Sequence, residues 1–264
     1  MIKFFRHIRK NLLMENKTSK YFKYAIGEII LVVIGILIAL QINNWNENRK
    51  NRIEETALLE QLRSEFHSNL KQLDQKISIR KDMIKSSQIL LDYVDNPSIR
   101  NNDTISKYIS FTTLAPTFDP IVNDLNGSGN IQLLSNNKLK KLLSFWTSEL
   151  VQITEEEVAW ITFRDNLYYP FLIEQNTIRN SLNGFWSNNV MDAFYLDERE
   201  IEQFSVGNSK RNVDLSKVLD MPAMESNLAL CATFNKLNNL QSEVLRKRIV
   251  DILELIDNQL NEGK

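Results

Sequence analysis

The chain has 264 residues and a formal net charge of -1, with 32 Lys and Arg side chains against 33 Asp and Glu. This near-neutral total excludes the strongly basic class of nucleic-acid-binding proteins, and a hydrophobic content of 43% excludes a disordered chain. Only 7 Gly and 5 Pro are present, which favours long uninterrupted helices over a fold of strands and turns.

Residues 1–20 form a basic segment in which Ile2, Phe5, Ile8 and Leu12 recur at helical spacing. The cationic side chains of this segment fall largely on the opposite face. This pattern is typical of a helix that lies on the cytoplasmic face of a membrane, in contact with lipid. A disordered basic tail explains the same residues equally well, and we keep both interpretations.

Residues 21–45 contain an apolar run without an amphipathic period. The 21 steps from Tyr24 to Trp45, at ~1.5 Å each, span about 31 Å, which matches a hydrocarbon core of about 30 Å. Tyr21, Tyr24 and Trp45 are aromatic residues of the kind that anchor helices at the two interfaces. A buried core helix is the alternative, but the summed insertion energies of the apolar side chains outweigh the cost of Glu28 near one end. We therefore predict a transmembrane helix.

Positive charge is concentrated before this helix, which predicts its orientation. Lys and Arg residues of short flanking segments stay in the cytoplasm, so residues 46–264 are expected outside it. A cleaved signal peptide is the competing interpretation, but residues 38–41 lack a clear small-x-small cleavage site. We predict an uncleaved signal anchor. The cationic residues on the N-terminal side are Lys3, Arg6, Arg9, Lys10, Lys17, Lys20 and Lys23.

The sequence also resembles a known family. Its run Gly-Glu-Ile-Ile-Leu-Val-Val-Ile-Gly-Ile-Leu-Ile-Ala-Leu-Gln-Ile-Asn-Asn-Trp at residues 27–45, with the opening Met-Ile-Lys-Phe-Phe-Arg-His-Ile-Arg-Lys, is similar to the start of an uncharacterised family of single-pass bacterial membrane proteins. Residues 117–120, Thr-Phe-Asp-Pro, and residues 125–134 resemble a second segment of that family more loosely. The resemblance implies a Gram-negative inner membrane and supplies no activity.

Within the predicted transmembrane helix, Glu28, Gly35 and Ala39 fall on one stripe. Gly35 and Ala39 have the small-xxx-small spacing that lets two helix backbones approach closely, and a carboxyl on the same face gains from a partner across the interface. This arrangement predicts a homodimer formed through the membrane helix. Because Gly and Ala are common in transmembrane helices, the spacing can also be incidental.

The remaining residues, 46–264, carry sustained helical periodicity, which predicts an all-α protein: a single transmembrane helix followed by an antiparallel bundle of about three long and two or three short helices. Pro170 is expected to kink or interrupt the second long helix. The predicted long helices cover residues 59–94, residues from about 135 to 182, and residues 222–260. The shorter ones cover residues 104–114, 120–127 and 191–204.

An aromatic cluster provides the candidate ligand pocket. Trp160, Phe163, Tyr168, Tyr169 and Trp186 are close in sequence and could line an apolar cavity. Aromatic residues at helical spacing are more often part of a packed core. Both interpretations remain open from the sequence.

Groups with catalytic or metal-binding chemistry are few. His7 and His67 are too far apart for a metal-binding pair, so we predict no metal, no cofactor and no catalytic residues. A hydrolase would need a polar cleft that contains His67. Cys231 is expected in the core as a small hydrophobic residue, and Glu155 to Glu157 are expected on a solvated face.

Together these features predict a non-catalytic protein of the bacterial inner membrane, with a cytoplasmic N-terminus and a periplasmic domain. Its expected role is that of an interaction scaffold or an envelope-associated regulatory module, with an unknown envelope protein as partner. The alternative is a periplasmic sensor-like domain that binds a small ligand near the aromatic cluster.

Overall fold

The computed structural model describes residues 18–121, 130–187, 204–211 and 213–262, and none of these residues forms a strand. The prediction of an all-α bundle with one long N-terminal apolar helix is confirmed. The chain divides into two compact units, Met1–Ala57 and Leu58–Lys264.

Seven α-helices account for most of the described residues, and we number them in chain order. Two short 3-10 turns, Pro97–Ile99 and Asn130–Leu133, follow α1 and precede α3, respectively. The helices are α1 (Thr18–Asp95), α2 (Asn102–Thr112), α3 (Asn137–Phe163), α4 (Tyr169–Glu174), α5 (Ile178–Ser187), α6 (Leu215–Leu219) and α7 (Pro222–Glu262).

In the first unit, the apolar part of α1 is exposed. Among the described residues, α1 alone is long and apolar enough to cross a membrane, with a mean hydropathy of 2.3 over its most apolar stretch, none of which is buried. By length and composition this helix could therefore span a membrane. Its twelve large apolar side chains between residues 26 and 42 are each 47% to 63% exposed.

In the second unit, α7 runs antiparallel to the later part of α1. Arg63 of α1 pairs with Asp257 near the end of α7 at 2.7 Å, whereas Asp74 pairs with Arg246 at 2.6 Å. As the residue number increases along α1, the partner's number decreases along α7. These two helices therefore have the antiparallel packing that the sequence predicted for the bundle in general.

By contrast, α1 and α3 run in the same direction. The rings of Phe66 and Trp146 lie 5.0 Å apart, and further along both helices Arg80 forms a buried ion pair with Glu157. The connection between α1 and α3, residues 96–136, returns the chain to the starting end of the bundle. Two parallel helices need a long connection, because the chain must cross the length of the bundle before the second helix begins.

Among the described residues, buried side chains form two apolar clusters, one toward the start of the bundle and one further along it. Each cluster combines residues of α1, α3 and α7. The second cluster also includes residues of α2, of α6 and of the helical segment that follows α3. The first cluster contains Leu59, Leu62, Phe66, Leu73, Leu139, Trp146, Ile153, Leu245, Ile249 and Ile252. The second contains Met83, Leu90, Ile105, Ile109, Trp160, Tyr168, Leu172, Leu219, Leu228 and Cys231.

Proline residues account for several helix boundaries. Helix α1 ends at Asp95, two residues before Pro97. Helix α7 begins at Pro222, a position whose N–H would have no partner within the helix, so proline is tolerated there. The break in the second long helix lies at residues 175–177, between α4 and α5, rather than at Pro170. Near Pro170, residues Arg164–Tyr168 form one π-helical turn that leads into α4 without a break. This turn accommodates the residue that cannot donate a hydrogen bond to the preceding turn.

The shorter predicted helices have mixed outcomes. The helix expected at residues 104–114 is present as α2. Residues 114–121 are irregular rather than the beginning of a helix at Pro120, and the rest of that predicted helix lies outside the described residues. The helix expected at residues 191–204 also lies outside the described residues, apart from Phe204, which is not helical.

Candidate functional site

Residues 113–121, which we call the strap, cross the bundle in an irregular conformation. The backbone of the strap is held largely by side chains of the long helices. Trp160 donates from its indole N–H to the carbonyl of Leu114 at 2.8 Å, and Arg80 donates to the carbonyl of Pro116 at 3.1 Å. These bonds satisfy backbone groups that would otherwise be buried without partners.

The far end of the strap is fixed on α1. Asn69, which is 2% exposed, donates to the carbonyl of Ile121 at 3.0 Å and accepts from its N–H at 2.8 Å. Gln72 accepts from the N–H of Asp119 at 2.9 Å. One amide side chain therefore replaces the backbone partner that a strand or helix would have supplied. The sequence gives no periodic signal for this segment, since its partners are distant side chains.

A buried ion pair lies under the strap, between the two apolar clusters. Arg80 is 0% exposed and Glu157 is 3% exposed. Arg80 donates to the Glu157 carboxylate, and the N–H of Phe118 donates to both of its oxygens, at 3.0 and 3.1 Å. Arg80 also donates to the hydroxyl of Ser242 at 2.8 Å. Burial raises the pKa of Glu157, while Arg80, the Phe118 N–H and Lys76 offset part of this shift.

Further polar side chains of α7 lie between the residues that α7 contributes to the two apolar clusters. Asn239 donates to the carbonyl of Ile77 at 3.2 Å. The side-chain oxygens of Asn235, Asn238 and Asn239 are buried without a hydrogen-bond partner among the described residues. A polar layer therefore separates the two apolar clusters, and its donors and acceptors are only partly paired.

The position of Glu157 corrects one sequence prediction. Glu155 is exposed and Glu156 is partly exposed, as expected of a solvated face, but Glu157 is in the core. Helical spacing explains the difference, because Glu157 lies four residues after Ile153 and three before Trp160, both of which are buried. That spacing was the signal that could have identified it from the sequence.

A cleft of about 330 Å³ lies beside the strap. Its wall is largely apolar, and Arg164 is the cation in that wall. The guanidinium carbon of Arg164 lies 4.8 Å from the ring centre of Tyr169, which places the charge over the aromatic face. The lining residues are Thr113, Leu114, Ala115, Ile161, Arg164, Tyr169, Leu182 and Phe185.

Hydrogen bonds hold the side chains of Arg164 and Tyr169 in the cleft. Arg164 donates from Nε to Asp165 at 2.8 Å and from Nη1 to the carbonyl of Thr113 at 3.3 Å. The hydroxyl of Tyr169 donates to the same carbonyl at 3.3 Å. Burial raises the pKa of Tyr169, so its phenol stays protonated at neutral pH and acts as a donor. Arg164 lies four residues after Trp160, but no motif in the sequence marks it as a site residue.

The structure disperses the predicted aromatic cluster. Trp160 is 2% exposed, and its ring packs against Phe163 at 5.8 Å and Phe234 at 6.3 Å. Phe163 and Phe234 also lie 5.7 Å apart. These three rings form a packed aromatic contact between α3 and α7, so Trp160 belongs to the core.

The other aromatic residues have separate environments. Tyr168 is fully buried, and its hydroxyl shares a 2.7 Å hydrogen bond with Thr112. Trp186 packs edge-on against Phe185 at 5.3 Å and against Phe204 at 4.7 Å. Of the five residues named from the sequence, Tyr169 lies in the wall of the cleft described above.

The residues predicted to mediate self-association lie within the apolar part of α1. Gly35 and Ala39 are exposed, and a Cβ atom at Gly35 would have no described atom within 4 Å. Glu28 is partly exposed. This stripe therefore has room for a second helix, and the predicted homodimer stays a prediction.

The predicted interface anchors can be placed in part. Trp45 lies in α1 and is 65% exposed. The backbones of Tyr21 and Tyr24 are also part of α1, but their side chains lie outside what the structure describes.

His67 and Cys231 differ in accessibility. His67 lies at an open groove along α1 that also includes Asp74 and Ser78, but the carboxylate of Asp74 is bound by Arg246 at 2.6 Å. Cys231 is fully buried, as predicted, and burial raises the pKa of its thiol to about 12. A protonated thiol without solvent access is a poor nucleophile.

Comparison with known proteins gives one match. A family model described as a family of unknown function (DUF6090) matches residues 28–142, which is less than half of the chain. This range includes most of α1, all of α2, the strap and the beginning of α3. No curated protein and no solved structure matches this chain. The chain is thus similar to an uncharacterised family, in agreement with the coarser part of the sequence resemblance.

Proposed function

We propose that this chain is a single-pass protein of a bacterial inner membrane, with a cytoplasmic N-terminus and a periplasmic helical bundle. The bundle acts by binding an envelope protein, as a scaffold or regulatory module, rather than by catalysis. An uncleaved signal anchor holds it at the membrane, and two copies associate through the stripe that contains Glu28, Gly35 and Ala39.

The exposure of the apolar part of α1 carries this proposal. Twelve Ile, Leu and Val side chains between residues 26 and 42 are about half exposed, although the second unit buries or partly buries most of its large apolar side chains. At roughly 0.3 to 0.6 kcal/mol each, their insertion into lipid contributes about 4 to 7 kcal/mol. Glu28 lies near one end, where its cost is below that of a charge at the bilayer centre. Insertion is therefore favoured over exposure to water.

Within the groove along α1, His67 and Ser78 are too far apart to act together. His67 and Ser78 are eleven residues apart on one helix, which corresponds to ~16 Å. A general base must lie within about 3 Å of the nucleophile that it activates, so these residues do not form a catalytic pair.

Extraction of membranes with alkaline carbonate tests the anchor. Wild-type protein should stay in the membrane pellet, because an inserted helix resists this treatment. The double substitution Ile34→Arg with Ile38→Arg places two charges near the bilayer centre, at a cost of about 2.5 to 3.5 kcal/mol each. This cost offsets the insertion energy, so the variant should appear in the supernatant or be degraded.

The matched control is Ile53→Arg, which changes an exposed Ile of the same helix outside the apolar stretch. It should remain in the pellet with the wild type. Release of the wild-type protein by carbonate, or equal retention of the double variant, would contradict the membrane anchor.

A further inference from the structure

The cleft beside the strap has the composition of a small-molecule site. Its volume of about 330 Å³ is at the lower end of the range for ligand pockets, so a small ligand fits better than an extended one. Ile161, Leu182 and Phe185 provide apolar surface, and Arg164 provides the positive charge. An apolar wall with a few fixed polar groups is typical of ligand sites.

The guanidinium of Arg164 has N–H donors that are not used in hydrogen bonds to described residues. A guanidinium has five N–H donors, and the contacts to Asp165 and Thr113 engage Nε and Nη1. Nη2 has no acceptor among the described residues. The side chain of Arg164 is only 16% exposed, while that of Asp165 is 47% exposed, so water screens the acid more than the base. The cleft therefore keeps a net attraction for an anion.

The orientation of Arg164 is also fixed before a ligand arrives. Its guanidinium lies over the ring of Tyr169, and Tyr169 is tied to the carbonyl of Thr113 in the strap. A planar guanidinium held in this way is suited to a carboxylate, which it can bind through two parallel hydrogen bonds. Because the described part of the lining contains a single cation, one negative charge is matched better than the two of a phosphate monoester.

We propose that this cleft binds a small apolar molecule that carries one carboxylate, with the carboxylate on Arg164 and the apolar body against Ile161, Leu182 and Phe185. This site lies in the helical bundle and does not depend on the membrane anchor. For the alternative of a sensor-like domain, the proposal specifies the chemical class of the ligand. Of the residues predicted to line the pocket, it retains Tyr169, whereas Trp160 belongs to the core.

The test uses three probes with the same phenyl body and different head groups: phenylacetate, 2-phenylethanol and phenethylamine. Full-length protein in lipid nanodiscs is titrated with each probe, with binding followed by saturation-transfer NMR and empty nanodiscs as the blank. Phenylacetate should bind saturably and at least tenfold more tightly than the alcohol, while the amine should not bind. Equal binding of all three, or no saturable binding of phenylacetate, would overturn the proposal.

Two variants locate the bound probe. Arg164→Gln should weaken phenylacetate binding at least tenfold and leave 2-phenylethanol binding unchanged, since only the charge is removed. Leu182→Trp fills the cleft and should abolish binding of both probes. The matched control Leu237→Trp changes an exposed Leu of α7 that does not line the cleft and should bind like the wild type. Unchanged affinity in both Arg164→Gln and Leu182→Trp would exclude this cleft as the site.

Discussion

At the scale of single residues, the ion pair between Arg80 and Glu157 is the feature that most strongly constrains the bundle. It connects α1, α3, α7 and the strap through partners that are buried with it. A buried ion pair is often no more stabilising than an apolar pair of similar size, but removing one partner leaves the other charge buried alone. We infer that the pair fixes how the helices and the strap fit together.

A double-mutant cycle tests this role. Glu157→Gln keeps the shape and an acceptor for Phe118 but leaves Arg80 uncompensated, so we expect a loss of about 3 to 5 kcal/mol in the free energy of unfolding. The double substitution Arg80→Met with Glu157→Gln removes the orphaned charge and should recover most of this loss. Urea unfolding, followed by circular dichroism, is measured for the detergent-solubilised wild type, for each single variant, Glu157→Gln and Arg80→Met, and for the double variant. Losses that simply add would show that the two residues act independently.

Residue-level prediction from the sequence succeeded where apolar spacing alone decides burial. Cys231 was correctly predicted in the core, because it lies on the apolar face of α7. The burial of Glu157 and Arg80 was not predicted, because charged residues are usually exposed to solvent. Only their helical spacing from buried apolar residues indicates that they lie in the core. Arg164 was missed for another reason: its role depends on Tyr169 and on the strap, which no local pattern brings together.

At the scale of elements, helix boundaries were predictable and the non-helical connection was not. Pro97, Pro170 and Pro222 act through local backbone sterics, so the sequence indicated the end of α1, an irregularity near the start of α4 and the start of α7. The strap depends instead on long-range hydrogen bonds from Asn69 and Trp160. The parallel arrangement of α1 and α3 depends on a long return connection, which periodicity does not encode.

Self-association through the apolar part of α1 is the prediction at this scale. Gly35→Ile adds bulk to the small-xxx-small stripe while increasing hydrophobicity, so it should lower dimerisation without lowering insertion. A bacterial two-hybrid assay of residues 18–50 measures association, with membrane fractionation as the control for insertion.

Two further variants refine this test. Glu28→Gln should retain most of the association, because it keeps a hydrogen-bonding side chain. Glu28→Leu should lose about 1 kcal/mol or less, the scale of hydrogen bonds between membrane helices. Equal signals from the wild type, Gly35→Ile and a scrambled segment would refute self-association through this stripe.

At the scale of the whole molecule, the chain combines an exposed apolar helix with a well-packed bundle. The match to a family of unknown function, residues 28–142, includes parts of both. It contains the apolar part of α1, the strap and the α1 residues that hold the strap, including Asn69 and Arg80. Residues 143–264 lie outside this match, and they contribute Glu157, Arg164 and Tyr169.

Topology is the central claim, and accessibility of engineered cysteines tests it most directly. Cys231 is unsuitable as a probe because it is fully buried, so it is first replaced by Ala. Ser64→Cys then introduces a thiol at an exposed position of α1 in the second unit. Asn11→Cys introduces one before the membrane helix.

A membrane-impermeant maleimide is applied to cells with a permeabilised outer membrane and an intact inner membrane. The account predicts that Ser64→Cys is labelled under these conditions, and that Asn11→Cys is labelled only after the inner membrane is lysed. The reverse pattern would contradict the orientation, and labelling of both variants only after lysis would place the whole chain in the cytoplasm.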